Sequence, residues 1–339
     1  MIDINSSAKM KNDITITLIG GSGRSGTTLL RKVLGKHIDV CEVPEWRVPV
    51  DPGGLIDFYT SLSGTWTPSV FDSRFKELKK ILNRVGKNTI FARIYRRLIH
   101  RLALNKVCSR NLDIAYGQVD VSQFCPIFLE LIKELENKLN LLKYQSFSTN
   151  SEFWDNGETA LAGPFQQDVL QEILGGFYRQ VVTEALNHTK CQHYLEKNTW
   201  YPLVFHKFIE LVPEAKLIHI VRDPRDVVCS MMNQRWAPQE LDTAVTYFQS
   251  IMHQWSFVKD QLPKESFIEV AYEELISDPE EILGRISRFA GIPVESGPYH
   301  LSKKSIGRWN SDLNDADKNR LNTLLELEVQ QYMEIFNNN

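Results

Sequence analysis

Residues 14–34, ITITLIGGSGRSGTTLLRKVL, constrain the fold more than any other stretch of the chain. Ile14, Ile16, Leu18 and Ile19 make a short apolar run of the kind a buried parallel strand needs. Gly20, Gly21, Gly23 and Gly26 then permit a tight turn, with positive φ and close approach of backbone to a ligand. Beyond Gly26, the residues Leu29, Leu30, Val33 and Leu34 fall at helical spacing, and Gly35 supplies a stop. Strand, glycine loop and helix N-terminus together form an anion site, because unpaired N–H groups and the helix dipole aim at one spot. The register is close to a Walker A loop without being one. Gly21-x-x-x-x-Gly26 sets Thr27 where that motif needs Lys, and Thr28 where it has Ser or Thr. The cation is Arg24, inside the loop. A β,γ-phosphate clamp on a Mg-nucleoside triphosphate is disfavoured by that exchange, and the best later strand ends Val221-Arg222-Asp223, with no clean Walker B acid.

Strand and helix patterns alternate along the rest of the chain. Residues 38–43 read as a second strand, ending at Pro44-Glu45-Trp46-Arg47. Further strands are expected at 193–196, 216–221 and 266–270, and helices at 123–142, 166–186, 202–211, 241–258 and 315–336. Asp223-Pro224 and Asp278-Pro279 each offer an N-cap followed by proline at the first helical position. Residues 146–163 are polar and aromatic and read as an ordered loop or lid. This alternation predicts an α/β, three-layer, P-loop NTPase-like fold, with a mainly parallel sheet of five strands and helical insertions. One domain spanning 13–336 is expected, with 51–165 as a helical insertion and 1–12 as a flexible tail.

Bulk properties narrow the function classes. A net charge of −3 gives no global case for nucleic acid. Five cysteines, Cys41, Cys108, Cys125, Cys191 and Cys229, are scattered without a C-x-x-C pair, against a disulfide framework or a zinc site. No apolar leader and no long apolar run is present, so the expectation is a soluble, cytoplasmic protein with no transmembrane segment. A homodimer is compatible with these features. The basic residues Arg74, Lys76, Lys79, Lys80, Arg84, Arg93, Arg96, Arg97 and Arg101 invite an acidic-acceptor or membrane-surface role; the solvated face of ordinary helices is the preferred reading.

A second anion site is suggested by Arg222 and Ser230. Both fall near the C-terminal end of a parallel strand, the edge where open α/β sheets bind ligands. The alternative is an arginine paired with Asp223 or Asp226 and a serine packed on the sheet. With the first loop, Arg222 and Ser230 give two anion sites on one nucleotide-sized ligand.

Five motifs occur in order: Gly23-Arg24-Ser25-Gly26-Thr27-Thr28, Glu196-Lys197, Val221 to Ser230, Tyr272-Glu273-Glu274-Leu275 with Asp278-Pro279, and Ser305-Ile306-Gly307-Arg308-Trp309. Together they resemble the sulfotransferases that use 3′-phosphoadenosine 5′-phosphosulfate. The resemblance implies that Gly23, Arg24, Ser25, Gly26, Thr27 and Thr28 hold the 5′-phosphosulfate, and that Arg222 and Ser230 hold the 3′-phosphate. It further implies that Tyr272 lies along the adenosine and that Ser305, Gly307 and Arg308 belong to a segment closing over the 3′ end. No metal is implied, the product is adenosine 3′,5′-bisphosphate, and the partner is a hydroxyl-bearing acceptor such as a glycan, a tyrosyl peptide or a small metabolite.

The stretch HIDVCEVPEWRVP resembles that of tyrosylprotein sulfotransferases, in which a carboxylate just after the second strand is the general base. Without a gap Glu45 takes that position; Glu42 is the fallback and His37 a weaker candidate. Lys197 matches the lysine that stabilises the bridging oxygen, a role Arg24 can share. One departure is Asn198-Thr199 after that lysine, where Thr-Pro is usual. The competing reading is a P-loop kinase of a small molecule, marked by Mg-ATP binding; a non-catalytic nucleotide sensor is the third.

Overall fold

The computed structural model describes residues 14–64, 66–86, 119–139, 142–145, 158–295 and 297–337. Its elements run β1 (Thr15–Gly21), α1 (Thr27–Leu34), β2 (Val40–Val43), α2 (Leu55–Gly64), α3 (Pro68–Gly86), α4 (Phe128–Leu139), β3 (Leu142–Gln145), β4 (Glu158–Leu161), α5 (Gln167–Thr189) and β5 (His193–Lys197). They continue with α6 (Tyr201–Leu211), β6 (Ala215–Val221), α7 (Pro224–Met232), α8 (Leu241–Lys259), β7 (Phe267–Ala271), α9 (Tyr272–Ser277), α10 (Pro279–Ala290), α11 (Arg308–Asp312), α12 (Asp315–Leu324) and α13 (Glu326–Asn337). Two compact units result: Met1–Glu42 with Lys190–Pro202 and Glu214–Asn339, and Val43–Thr189 with Leu203–Pro213.

The first unit is an α/β layer structure around a five-stranded sheet of order β2-β5-β1-β6-β7. β1 lies between β5 and β6, parallel to both, with Ile19 opposite Lys197 on one side and Ile218 on the other. β7 runs parallel to β6, with Val221 opposite Ala271. Because side chains alternate along a strand, β6 presents Ile218 and Ile220 to one layer and His219 and Val221 to the other. The first pair joins Leu30, Val33 and Leu34 of α1 and Ile282, Leu283 and Ile286 of α10 in a buried core. Each such fully buried side chain stabilises by about 1.5–3 kcal/mol. On the opposite face, Val221 and Ala271 pack on Tyr332 of α13. His219 there lies 4.4 Å, ring to ring, from Trp255 of α8. Parallel strands carry their C-terminal ends to one edge, and that edge bears the loop after β1, Lys197, Arg222 and Tyr272.

Local signals act as read. Asp223 caps α7 by accepting from the Arg225 N–H at 2.9 Å, with Pro224 behind it, and Asp278 caps α10 in the same way. Three expected elements differ in extent. The second strand starts at Val40, because the Val40 N–H bonds the His37 carbonyl at 3.0 Å and keeps Ile38 and Asp39 in a turn. The helix expected over 123–142 is α4 alone, preceded by a 3₁₀ turn at Val121–Gln123 and Pro126 and followed by β3, which pairs antiparallel with β4. The last helix is two, broken at Leu325 (φ −108°, ψ 17°). Of the segment read as a loop or lid, only 158–163 is described, and there β4 takes part in that hairpin.

The second unit is built on aromatic side chains. Trp46 is fully buried, stacked on Tyr178 at 5.9 Å and edge-on to Phe124 and Phe128. Arg47 follows with φ +65°, its side chain paired with Asp51 at 2.8 Å, and the Val50 and Asp51 amides close on the Arg47 carbonyl. Half-buried Glu45 is thus held by a sunken tryptophan and a tight left-handed turn just after it. Within this unit Arg74 pairs with Glu77 at 2.8 Å and Lys79 with Glu136 at 3.1 Å, whereas Lys76 is drawn inward to the buried Asp72 at 2.9 Å. Arg93, Arg96, Arg97 and Arg101 lie outside the described residues.

Candidate functional site

The loop after β1 is built to leave donors open. Gly26 is the N-cap of α1 at φ +103°, in the left-handed region, and no side chain caps the helix. The first amides of a helix have no intrahelical partner, so they face outward from this turn. A Cβ at Gly26 would sit 2.3 Å from Cδ2 of Tyr272, so glycine is required here both for φ and for the ring pressed against it. Gly23 and Arg24 also take positive φ, 82° and 62°. For a non-glycine residue that conformation costs on the order of 1–2 kcal/mol and must be held by contacts.

Arg222 supplies one of them. Its Nη1 donates to the Arg24 carbonyl at 3.1 Å, and its Nη2 donates to the Ser305 carbonyl and lies 3.3 Å from Asp226 Oδ2. Its guanidinium also lies over the Tyr272 ring at 5.1 Å. The Arg24 side chain reaches in the other direction, Nε donating to Ser230 Oγ at 3.0 Å. Arg24, Arg222, Ser230, Tyr272 and Ser305 are therefore one connected cluster. Arg222 Nε and Ser25 Oγ are buried and have no hydrogen-bond partner among the described residues.

The sequence offers Asp226 only as a possible partner of Arg222, but its larger part is to hold backbone. It is 2% exposed, and its carboxylate accepts from the Gly307 N–H at 2.7 Å and the Trp309 N–H at 3.0 Å. That one side chain fastens the Ser305–Trp309 segment and steadies Arg222. Arg225 completes the attachment by lying over the Trp309 ring at 4.3 Å. Arg308 is not drawn in; it pairs with Asp312 at 2.7 Å. A carboxylate that binds backbone amides some eighty residues away leaves no local pattern in sequence.

Lys197 ends β5, and the departure after it has a structural role. The Asn198 N–H bonds the Ile19 carbonyl at 3.0 Å, Asn198 Oδ1 accepts from the Trp200 N–H at 3.0 Å, and the Gly21 N–H bonds the Thr199 carbonyl at 3.2 Å. An Asx turn thus ties the segment to β1 where Thr-Pro would otherwise shape it. Asn198 is 1% exposed and its Nδ2 has no partner among the described residues. Glu42 is paired with Arg31 at 3.1 Å, on the face of α1, and His37 Nδ1 accepts from the Asp39 N–H at 3.2 Å.

Behind the loop, on the α8/α13 face, a cavity of about 270 Å³ reaches from Ser22 and Arg222 to His219, Lys259 and Glu269. Burial alone would push the Glu269 carboxyl up, but the His219 hydrogen bond and the His219 and Lys259 charges outweigh it and hold it at about 2. Among the described residues no helix is long and apolar enough to cross a membrane.

The sulfotransferase family model matches residues 126–296, half of the chain. The chain belongs to the sulfotransferase family. A Caenorhabditis elegans protein named "Putative protein-tyrosine sulfotransferase" is 28% identical over 195 residues, 52% of this chain and 71% of that protein. Among solved structures, the sulfotransferase domain from the curacin biosynthetic pathway covers 92% of this chain and 97% of its own at 15% identity and a TM-score of 0.45. The sulfotransferase domain of the Synechococcus PCC 7002 olefin synthase covers 90% and 92% at 16% and 0.44. With TM-scores under 0.5, the fold of this family member rests on its own sheet order and registers.

Proposed function

We propose that this sulfotransferase moves the sulfuryl group of 3′-phosphoadenosine 5′-phosphosulfate to an acceptor hydroxyl, without a metal. One observation carries the reading: the open amides of the Gly23–Thr28 loop and the Arg222/Ser230 pair sit at the ends of adjacent parallel strands and are joined through Arg24. Such a donor has an anion at each side of its ribose, and the residues present fit it. Arg222 has five N–H donors, of which two make hydrogen bonds, with Asp226 as an ion-pair partner; the buried Nε–H has no partner among the described residues. Ser25 Oγ and Asn198 Nδ2 are further buried polar atoms that a polar ligand would satisfy. Tyr272 would flank the adenosine, and Ser305, Gly307 and Arg308 would close the 3′ end.

In this reading Glu45 accepts the acceptor's proton as its oxygen attacks sulfur in line. An O–S bond forms, the bond from sulfur to the 5′-phosphate oxygen breaks, and Lys197 and Arg24 stabilise the charge gathering on the leaving oxygen. Glu42, the fallback base, has its carboxylate paired with Arg31. The turn around Glu45 and the C. elegans relative both lean towards a tyrosyl acceptor. Residues 13–336 then act as one sulfotransferase domain. Calorimetric titration with adenosine 3′,5′-bisphosphate and with ATP, without added Mg, tests the donor. The bisphosphate should bind well below ATP in Kd; tight binding of ATP alone would point to the kinase reading instead.

A further inference from the structure

We propose that the cavity between the sheet, α8 and α13 is a second ligand site, one that takes a small organic ammonium ion with an aromatic or apolar body. The cavity lies within the first unit, on the face of the sheet turned away from α1, and has a volume of about 270 Å³. Small-molecule sites begin at about 300 Å³, so this volume suits one ring and a short chain. Sulfuryl transfer as described above makes no use of it, and its occupation does not depend on which nucleotide the loop binds.

The walls select the ligand by surface and by charge. Phe248, Met252 and Trp255 of α8 supply apolar surface. Glu269 needs no ligand, because its carboxylate already takes the Trp255 Nε1–H at 2.9 Å, faces His219 Nδ1 at 3.3 Å and pairs with Lys259. That pairing occupies the Lys259 charge, and Arg222 is answered by Asp226. The remaining charges on the lining are the carboxylates of Glu328, Glu334 and Asp260, with no ion-pair partner among the described residues. Glu328 decides the sign: its Oε2 is buried and has no hydrogen-bond partner among the described residues. Leaving a buried carboxylate oxygen unpaired is costly, and an N–H donor from a ligand would satisfy it. Ser256, Lys259 and Asp260, at the end of α8, also line the cavity, and a helix C-terminus carries negative partial charge. An anion therefore meets repulsion, and a neutral molecule leaves the Glu328 charge unanswered. An ammonium ion answers it while its body packs on Trp255 and Phe248.

The test uses three molecules of one frame that differ in charge: 2-phenylethylamine, 2-phenylethanol and phenylacetate. Each is titrated calorimetrically, at neutral pH and without nucleotide, into the wild-type chain, Glu328→Gln and Met252→Trp. The amine should bind the wild type with a Kd of roughly 0.1–1 mM, the range open to a fragment of that size. The alcohol and the acid should each bind about tenfold more weakly or worse. Glu328→Gln should weaken the amine by about ten- to a hundredfold and remove most of its lead over the alcohol. Met252→Trp fills the cavity and should abolish amine binding. Thermal melting near the wild-type Tm shows that a variant is folded, and Glu328→Gln, which leaves the volume unchanged, decides the matter if Met252→Trp does not fold. Amine binding undiminished in Glu328→Gln, phenylacetate binding as tightly as the amine, or no amine binding up to about 10 mM would overturn the proposal.

Discussion

Replacing Asp226 by asparagine removes the charge from the one side chain that ties three parts of the site together. In the native protein each carboxylate oxygen takes a backbone N–H, from Trp309 and from Gly307, and Oδ2 also faces Arg222. Hydrogen bonds to a charged acceptor are worth about 1.5–3 kcal/mol each. Asparagine keeps one acceptor and turns an N–H₂ group towards a donor, so one such bond is lost and the Arg222 pairing with it. We expect about 2–3 kcal/mol to vanish from the attachment of the Ser305–Trp309 segment, which is about 30- to 150-fold in an equilibrium. Two assays should register it. Amide exchange at Gly307 and Trp309 should accelerate while exchange in β1 and β6 stays slow, since their cores do not involve Asp226. The affinity for adenosine 3′,5′-bisphosphate should fall by a comparable factor, and that for adenosine 5′-monophosphate by much less. If the variant protects both amides as the wild type does and binds the bisphosphate within threefold, Asp226 is not the fastening described.

Three further outcomes can be checked together. Glu45→Ala should reduce turnover well over tenfold with bisphosphate affinity largely kept, whereas Glu42→Ala should act through the Arg31 contact on stability; the reverse pattern in single-turnover assays would move the base to Glu42. Glu269 has a depressed folded-state pKa of about 2, so its contribution is full above the ordinary carboxylate range and is lost as pH falls from about 4.5 towards 2. Denaturant titrations should therefore show the wild type losing on the order of 3 kcal/mol across that window, and Glu269→Gln should be weaker at neutral pH with a flatter acid limb. Burial pushes the Cys125 and Cys229 thiols up to about 12, so at pH 8 iodoacetamide should label half-buried Cys191 well ahead of either in the folded protein.

What could be read from sequence divides along the range of the interactions. The β1 loop, the Asp223-Pro224 and Asp278-Pro279 helix starts and the positions of the sheet strands along the chain are local or periodic signals, and they appear in the structure with strand boundaries shifted by one or two residues. The Leu325 break and the β3–β4 hairpin depend on how distant side chains pack, and the helical period of 315–336 runs through the break without a proline or glycine to mark it. Within the candidate site, Arg24, Arg222 and Ser230 were legible one by one, but not that Arg24 is held by the other two. Asp226 and Asn198 were the residues whose roles stayed hidden. Each works through backbone groups supplied by another part of the chain, which carry no side-chain signature.

The strand order β2-β5-β1-β6-β7 also sets a schedule. β1, with the glycine loop attached, is the middle strand of the sheet and the first to be synthesised, yet its neighbours β5 and β6 begin only at His193 and Ala215. At roughly 5–20 residues per second, about 10–35 s of translation separate the strand from its first partner. For that interval the strand has only the adjacent α1 to pack on, and both of its strand pairings have a long sequence separation, the condition under which folding is slow and prone to off-pathway pairing. The glycine loop is thus made well before the strands that flank it.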